Sequence, residues 1–310
     1  MRRHFAFCTR ALLGGAAMIA LAGAAQPPAS PPATTAAPAA TNVAVNVNIT
    51  PKRLTFSKGE RSATVYIFNQ GRTPATYDIS MVDRVMLPSG DIRPVSDAQA
   101  ADVKPFTDKL KSAQGMVLAT PRRATLAPGK GQTIRLRINA PATSDATEYR
   151  SHLTVMTVPP RSTGVTAEAA AAQGANQLSF QINSVFGLSI PIIIRSGTAD
   201  VRGAIGNPRL TYADISPDGV APARRTPVVA FDVSRLGAHS LFGNVEIRGS
   251  RDKQPIGAIR GVGLYTEIDR RLMQVPLQRT PAKGEQLEIT FVDDDMTPGR
   301  VIARSSFTAP

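Results

Sequence analysis

Beyond Val43 the apolar residues of this chain recur at every second position, and that period sets what the chain can become. Val43, Val45, Val47 and Ile49 alternate with Ala44, Asn46 and Asn48. Val65 with Ile67, Ile79 with Met81, and Ile134, Leu136 and Ile138 repeat the device. A period of two puts such side chains on one face of a strand, whereas a helix needs apolar residues three or four apart. Turn residues bound the runs, as in Asn69-Gln70-Gly71, Leu87-Pro88-Ser89-Gly90 and Pro128-Gly129-Lys130-Gly131. Short strands with turns between them at this spacing predict an all-β sandwich, and no long amphipathic helix interrupts them.

A second set of strand candidates follows Ser196-Gly197. It comprises 228–233, 241–247, 256–265, 272–277, 287–292 and 301–307, punctuated by Gly237, Gly249, Pro281-Ala282-Lys283-Gly284 and Pro298-Gly299. A boundary near residue 198 divides the chain into 43–198 and 199–310, each of ordinary size for a sandwich domain. With 310 residues, 42% of them hydrophobic, there is enough chain for two cores.

The first forty residues read as address rather than fold. Arg2, Arg3 and Arg10 precede an apolar or small-residue run from Ala11 to Ala25, and Gly23 and Ala25 suit cleavage before Gln26. That run is short for a membrane span, so 1–25 is expected to be a cleavable export signal, with an uncleaved anchor as the alternative. Residues 26–42, rich in Pro, Ala and Thr and free of charge, are expected to be a flexible leader. Taking Arg2, Arg3 and Arg10 from a net charge of +13 leaves +10 on the mature chain. Cys8, the only cysteine, leaves with them, so no disulfide scaffold or thiolate metal site is available.

The most informative segment carries no charge at all. From Gln177 to Ile194 the even positions hold Leu178, Phe180, Ile182, Phe186, Leu188, Ile190, Ile192 and Ile194, with Ser184 the only polar interruption. Pro191 cannot donate to a ladder, which places an edge, bulge or sheet switch there. Before it, 161–176 has little strand character and reads as a long connection. Two readings follow from the pattern. The strand is central and its apolar face lies in the chain's own core, or it is an edge offered to another chain by strand addition.

Ile49-Thr50-Pro51-Lys52-Arg53-Leu54-Thr55-Phe56 followed by Tyr66-Ile67-Phe68-Asn69 resembles the first two strands of the periplasmic pilus-assembly chaperones, with that family's anchoring arginine falling on Arg53. Leu126-Ala127-Pro128-Gly129 and Gln132-Thr133-Ile134-Arg135 look like the turn and strand before the family signature, and Glu148 and Val155 to Pro160 match parts of it. The alternating segment from Leu178 falls where such chaperones keep the strand they lend. The resemblance covers about 43–198 and departs at two places. His152 and Thr154 stand where the signature expects an aromatic and an Asn or Cys. The family's anchoring lysine is also missing, its place being held by Gly187 or Pro191.

The resemblance implies two immunoglobulin-like domains, a periplasmic location and pilus or fimbrial subunits as partners, with an outer-membrane usher as a further one. Leu178, Phe180, Ile182, Phe186 and Leu188 would then form the subunit-binding strand. Arg53, assisted by Arg195, would hold the subunit's terminal carboxylate, a charge-assisted bond suited to a guanidinium.

Signals for other functions are poor. After the signal only His152 and His239 remain, and His239 and Ser240 point to opposite faces of a strand. There is no Gly-x-Ser-x-Gly elbow and no phosphate-cradling glycine loop, so neither an enzyme nor a cofactor or small-molecule substrate is expected. Asp293-Asp294-Asp295 lacks the spaced ligands of a calcium loop and reads as a solvated hairpin end, with no metal site. Arginines are dispersed with few aromatics beside them, which argues against nucleic acid. The leading expectation is a non-enzymatic, ATP-independent exported chaperone that caps subunits by donating the strand from Leu178. A secreted structural, adhesin or pilus component built of similar sandwiches is the alternative, and a hydrolase a distant third.

Overall fold

The computed structural model describes residues 47–57, 59–97, 100–139, 145–159 and 185–310. The expected signal and leader, the connection at 161–176, and Leu178, Phe180 and Ile182 lie outside the described residues. What is described forms two immunoglobulin-like β-sandwiches, in accord with the period-two pattern.

The first sandwich uses β1 (Val47–Thr50), β2 (Leu54–Phe56), β3 (Ser62–Asn69), β4 (Ala75–Val82), β7 (Val117–Thr120), β8 (Arg123–Leu126), β9 (Gly131–Ile138), β10 (Thr147–Val158) and β11 (Gly187–Ser196). One sheet runs β1-β3-β9-β7 and the other β2-β11-β10-β4-β8. Ile49, Val65, Ile67, Ile134 and Leu136 of the first sheet are buried against Tyr77, Ile79, Leu153, Val155 and Ile192 of the second. Between them Arg135 and Arg137 point outward, as alternation requires. Gly129 turns the chain from β8 to β9 at φ 67°, a conformation that a side chain would strain.

Between β4 and β7 the chain makes an excursion through a small hairpin, β5 (Arg84–Met86) with β6 (Ile92–Pro94), and a four-residue helix, α1 (Lys104–Thr107). Pro at the helix start has no N–H to lose there. This excursion reaches the second sandwich: Met86 is buried in that sandwich's core, with Ile92 and Phe106 packed against it.

The second sandwich uses β12 (Gly203–Ile215), β13 (Arg224–Arg235), β14 (Leu241–Gly249), β15 (Gly257–Leu264), β16 (Arg270–Pro276), β17 (Gln286–Asp293) and β18 (Val301–Thr308). Its sheets run β12-β13-β16 and β15-β14-β17-β18. Val229, Phe231 and Val275 meet Val245, Ile247, Ile289 and Phe291 in its core. Gly243 has no room for a side chain, since a Cβ there would sit 1.9 Å from the Val292 carbonyl oxygen.

One strand of this sandwich escapes the sequence pattern. β12 pairs with β13 over its whole length, but the register shifts between Gly206 and Arg209, and Asn207 lies at φ 53°. A bulge at Gly206-Asn207-Pro208 switches which positions face inward, so no single alternation runs through the strand.

β11 shows where its apolar ladder goes. Ile190, Ile192 and Ile194 are buried in the first core, while the odd member Ile193 is buried in the second sandwich's core. β10 pairs with it along its whole length, but β2 pairs only over Ile192 to Ile194. From Gly187 to Pro191, β11 therefore has a partner on one side only among the described strands, which is where Pro191 is tolerated.

Candidate functional site

The two sandwiches meet at a joint of buried charge, and its layout follows from strand register. On β10 the even positions Glu148, Arg150, His152 and Thr154 share a face, directly opposite Arg195, Ile193, Pro191 and Ser189 of β11. Glu148 and Arg195 are cross-strand neighbours at the inner end of this face. The Arg195 Nε–H donates to Glu148 Oε2 at 2.9 Å, and both side chains are almost fully buried.

The second sandwich closes on this pair through the residue before β14. Ser240 donates its backbone N–H and its hydroxyl to Glu148 Oε2, at 3.0 and 2.9 Å. In return Arg195 Nη2 donates to the Ser240 carbonyl oxygen at 3.0 Å and to its Oγ at 3.1 Å. The sequence reading took Ser240 only as half of a poor catalytic dyad with His239. Here Ser240 is a bridge between domains, and His239 is buried, with its Nδ1 accepting the Asp200 N–H at 2.9 Å.

Asp295 completes the arrangement. It follows β17, and its Oδ2 lies 3.1 Å from Arg53 Nη2 and 3.1 Å from Arg195 Nη1. The first contact is a hydrogen bond; the second is an ion pair whose angles do not make one. Thr55 donates its hydroxyl to Asp295 Oδ1 at 2.9 Å. Burial pushes the Asp295 carboxyl up, but the Arg53 and Arg195 charges outweigh it and leave it below the usual carboxylate range. This corrects the reading of the Asp293-Asp294-Asp295 run as a solvated hairpin end. Asp293 is buried and accepts the N–H groups of Asp295 and Thr297, at 2.9 and 3.0 Å, which aims Asp295 across the joint.

A second buried pair lies alongside. Arg150 donates to Glu267 and to the Arg84 carbonyl oxygen, and Glu267 also accepts the Met86 N–H at 2.7 Å. The Arg150 guanidinium stands 3.9 Å from the centroid of the Tyr265 ring, and Arg53 lies 4.4 Å from that of Phe242. Such placements over a ring face add electrostatic attraction where water is excluded. His152, edge-on to Tyr265, is held down to about 2 by burial and then by the Arg150, Arg84 and Arg53 charges, so it is neutral at ordinary pH.

The structure thus brings Arg53 and Arg195 together, on one carboxylate supplied by the chain itself. Arg53 Nε and Nη1 keep no hydrogen-bond partner among the described residues. Pro191, one candidate for the missing lysine's place, lies directly opposite His152. Phe186 and Leu188 are half-buried, and the Phe186 backbone exchanges hydrogen bonds with Thr157, its N–H donating to Thr157 Oγ1 and its carbonyl accepting the Thr157 N–H. Leu188 packs against the first core. Sequence reasoning missed Asp295, Ser240, Glu267 and Arg150. Only Asp295 carried a signal, its place in an acidic run within a strongly basic chain.

No protein-family model matches the chain, and no curated protein matches it. Among solved structures, the chain is similar to the YadV chaperone at 14% identity, covering 85% of this chain and 99% of that one with a TM-score of 0.42. It is similar to the CupB2 chaperone of Pseudomonas aeruginosa at 12% identity, covering 85% and 100% with a TM-score of 0.40. A third likeness is to the Salmonella enterica SafA pilin in complex with the SafB chaperone, at 11% identity, 84% and 95% coverage and a TM-score of 0.39.

Proposed function

We propose that this protein is an exported, non-enzymatic chaperone that captures fibre subunits by lending them a strand. The observation that carries the reading is the course of β11. Ile190, Ile192 and Ile194 of its inner half are fixed in the first core, while Gly187 to Pro191 pairs on one side only among the described strands. The half-buried Phe186 and Leu188 continue outward from it, and the sequence upstream keeps the same alternation through Ile182, Phe180 and Leu178 with no charge. Such a strand supplies backbone hydrogen bonds to a partner's sheet and apolar side chains to its groove. Capping that groove leaves the subunit without an exposed edge, and no nucleotide enters the cycle.

The charged joint serves this reading as the rigid base from which β11 projects. Arg53 is buried against Phe242 and held by Asp295, so it would receive the subunit's terminal carboxylate in exchange for Asp295. An outer-membrane usher would take over the capped subunit. The test is direct. The full chain, mixed with a purified pilus subunit that lacks its own donor strand, should give a one-to-one complex without ATP, and Phe180→Asp should abolish it while the thermal midpoint stays unchanged. If Phe180→Asp instead unfolds the protein, the strand belongs to its own core and the reading fails.

A further inference from the structure

The other sheet of the first sandwich carries a feature that strand lending does not use. Arg61, just before β3, Arg137, on β9, and Arg122, between β7 and β8, line one groove of about 700 Å³ with Met116, Leu118 and Asn139. Among the described residues no Asp or Glu lines it. Among the described residues none of these three guanidinium groups has an ion pair or a side-chain hydrogen bond. Elsewhere exposed arginines are commonly matched, as Arg123 is by Asp78, Arg202 by Asp200 and Arg304 by Glu288.

Register explains why the charge accumulates there. Arg137 lies opposite Ser62 on β3 and Leu118 on β7, and Arg135 lies opposite Thr64 and Thr120. Both arginine rows share the outward face, and neither row holds a carboxylate. Arg135 and Arg137 stand two residues apart on the same face, and no carboxylate on the strands of this sheet offsets them. Leu118, 48% exposed, adds an apolar step beside Arg137.

We infer that this groove is a docking site for an acidic polypeptide segment, one carrying carboxylates beside an apolar side chain. Guanidinium forks bind carboxylates bidentately, and three of them in one groove offer several such contacts to one segment, where a single exposed ion pair would contribute little. The mixture of Arg61, Arg122 and Arg137 with Met116 and Leu118 matches a peptide that alternates charge and hydrocarbon. A lipid headgroup would satisfy the arginines but leave Met116 and Leu118 uncovered. The inference is independent of the strand-lending reading, because β11 belongs to the opposite sheet.

The test uses the full chain and a short labelled peptide in which glutamate and leucine alternate, with a glutamine-for-glutamate control. Binding should require glutamate and weaken as salt rises. The double variant Arg61→Gln with Arg137→Gln should lower the affinity about tenfold with an unchanged thermal midpoint. Arg224→Gln with Arg248→Gln, at exposed positions of the second sandwich, should leave the affinity as it was. The inference is overturned by equal affinity in the Arg61/Arg137 variant, or by no binding at all. It is equally overturned if these arginines recruit the chain to phosphatidylglycerol-containing vesicles but not to the peptide.

Discussion

Arg195 and Asp295 stand 3.1 Å apart across the joint of the two sandwiches, one near the end of β11 and the other just after β17. The strand proposed to be lent outward is thus tied, at its inner end, to the second sandwich. Arg195 is also the hub of the joint, since Glu148 and Ser240 bond to it as well.

Removing that hub should uncouple the sandwiches. Arg195→Met leaves the Glu148 carboxylate, fully buried, without its cation, and breaking a buried pair in this way costs about 3–5 kcal/mol. Calorimetry should show a single transition in the wild type and two in the variant. A single unshifted transition in the variant would mean that the joint contributes nothing to stability.

Asp295→Asn tests the internal occupant of Arg53. It keeps the neighbouring Thr55 and the shape but removes the charge, and stability should fall by about 1.5–3 kcal/mol, the range for a hydrogen bond to a charged group. On the chaperone reading the same variant should bind a subunit's C-terminal peptide more tightly, because Arg53 is released. A variant that is less stable yet no better at binding would make Asp295 a structural residue only.

His152 sets a pH dependence with a definite sign. Its folded pKa lies near 2 and that of a free imidazole near 6.5, so below about pH 6.5 the unfolded chain binds a proton that the folded chain does not. Stability is therefore full above that pH and falls as pH drops, by about 1.4 kcal/mol per unit. His239, also lowered by burial, acts in the same direction. Denaturant titrations between about pH 6.5 and 5 should show a shallower fall for His152→Gln, with the His239 part remaining. An unchanged slope would contradict the burial of a neutral His152.

The two halves of β11 should respond differently to truncation. Ile192→Ala removes a fully buried side chain and should cost about 2–5 kcal/mol. Leu188→Ala removes a half-buried one and should cost about 1 kcal/mol, read from denaturation midpoints. Equal costs would place the whole strand in the core, with nothing left to lend.

Much of the fold was legible because burial follows local period. Val65, Ile67, Ile134 and Leu136 are fully buried where alternation places them, and β13 to β18 fall where turn residues and apolar runs put them. β12 was not legible, since the bulge at Gly206 breaks the period. The excursion through β5 and α1 was missed for another reason: Met86 and Phe106 gain their burial from the second sandwich, far along the chain. The joint failed for the same cause. Arg53, Arg195 and Asp295 are an ordinary arginine, arginine and aspartate until the chain brings them to one place, and an acidic run reads as solvated when its partners are distant.

The central claim is that the segment from Leu178 lies in a subunit's groove. A photo-reactive phenylalanine analogue at position 180, in the full chain mixed with subunit, measures this directly. The account predicts a covalent adduct with the subunit from positions 180 and 182, and little from Gln181 between them. Adducts formed only within the chain itself, or equally from all three positions, would contradict it.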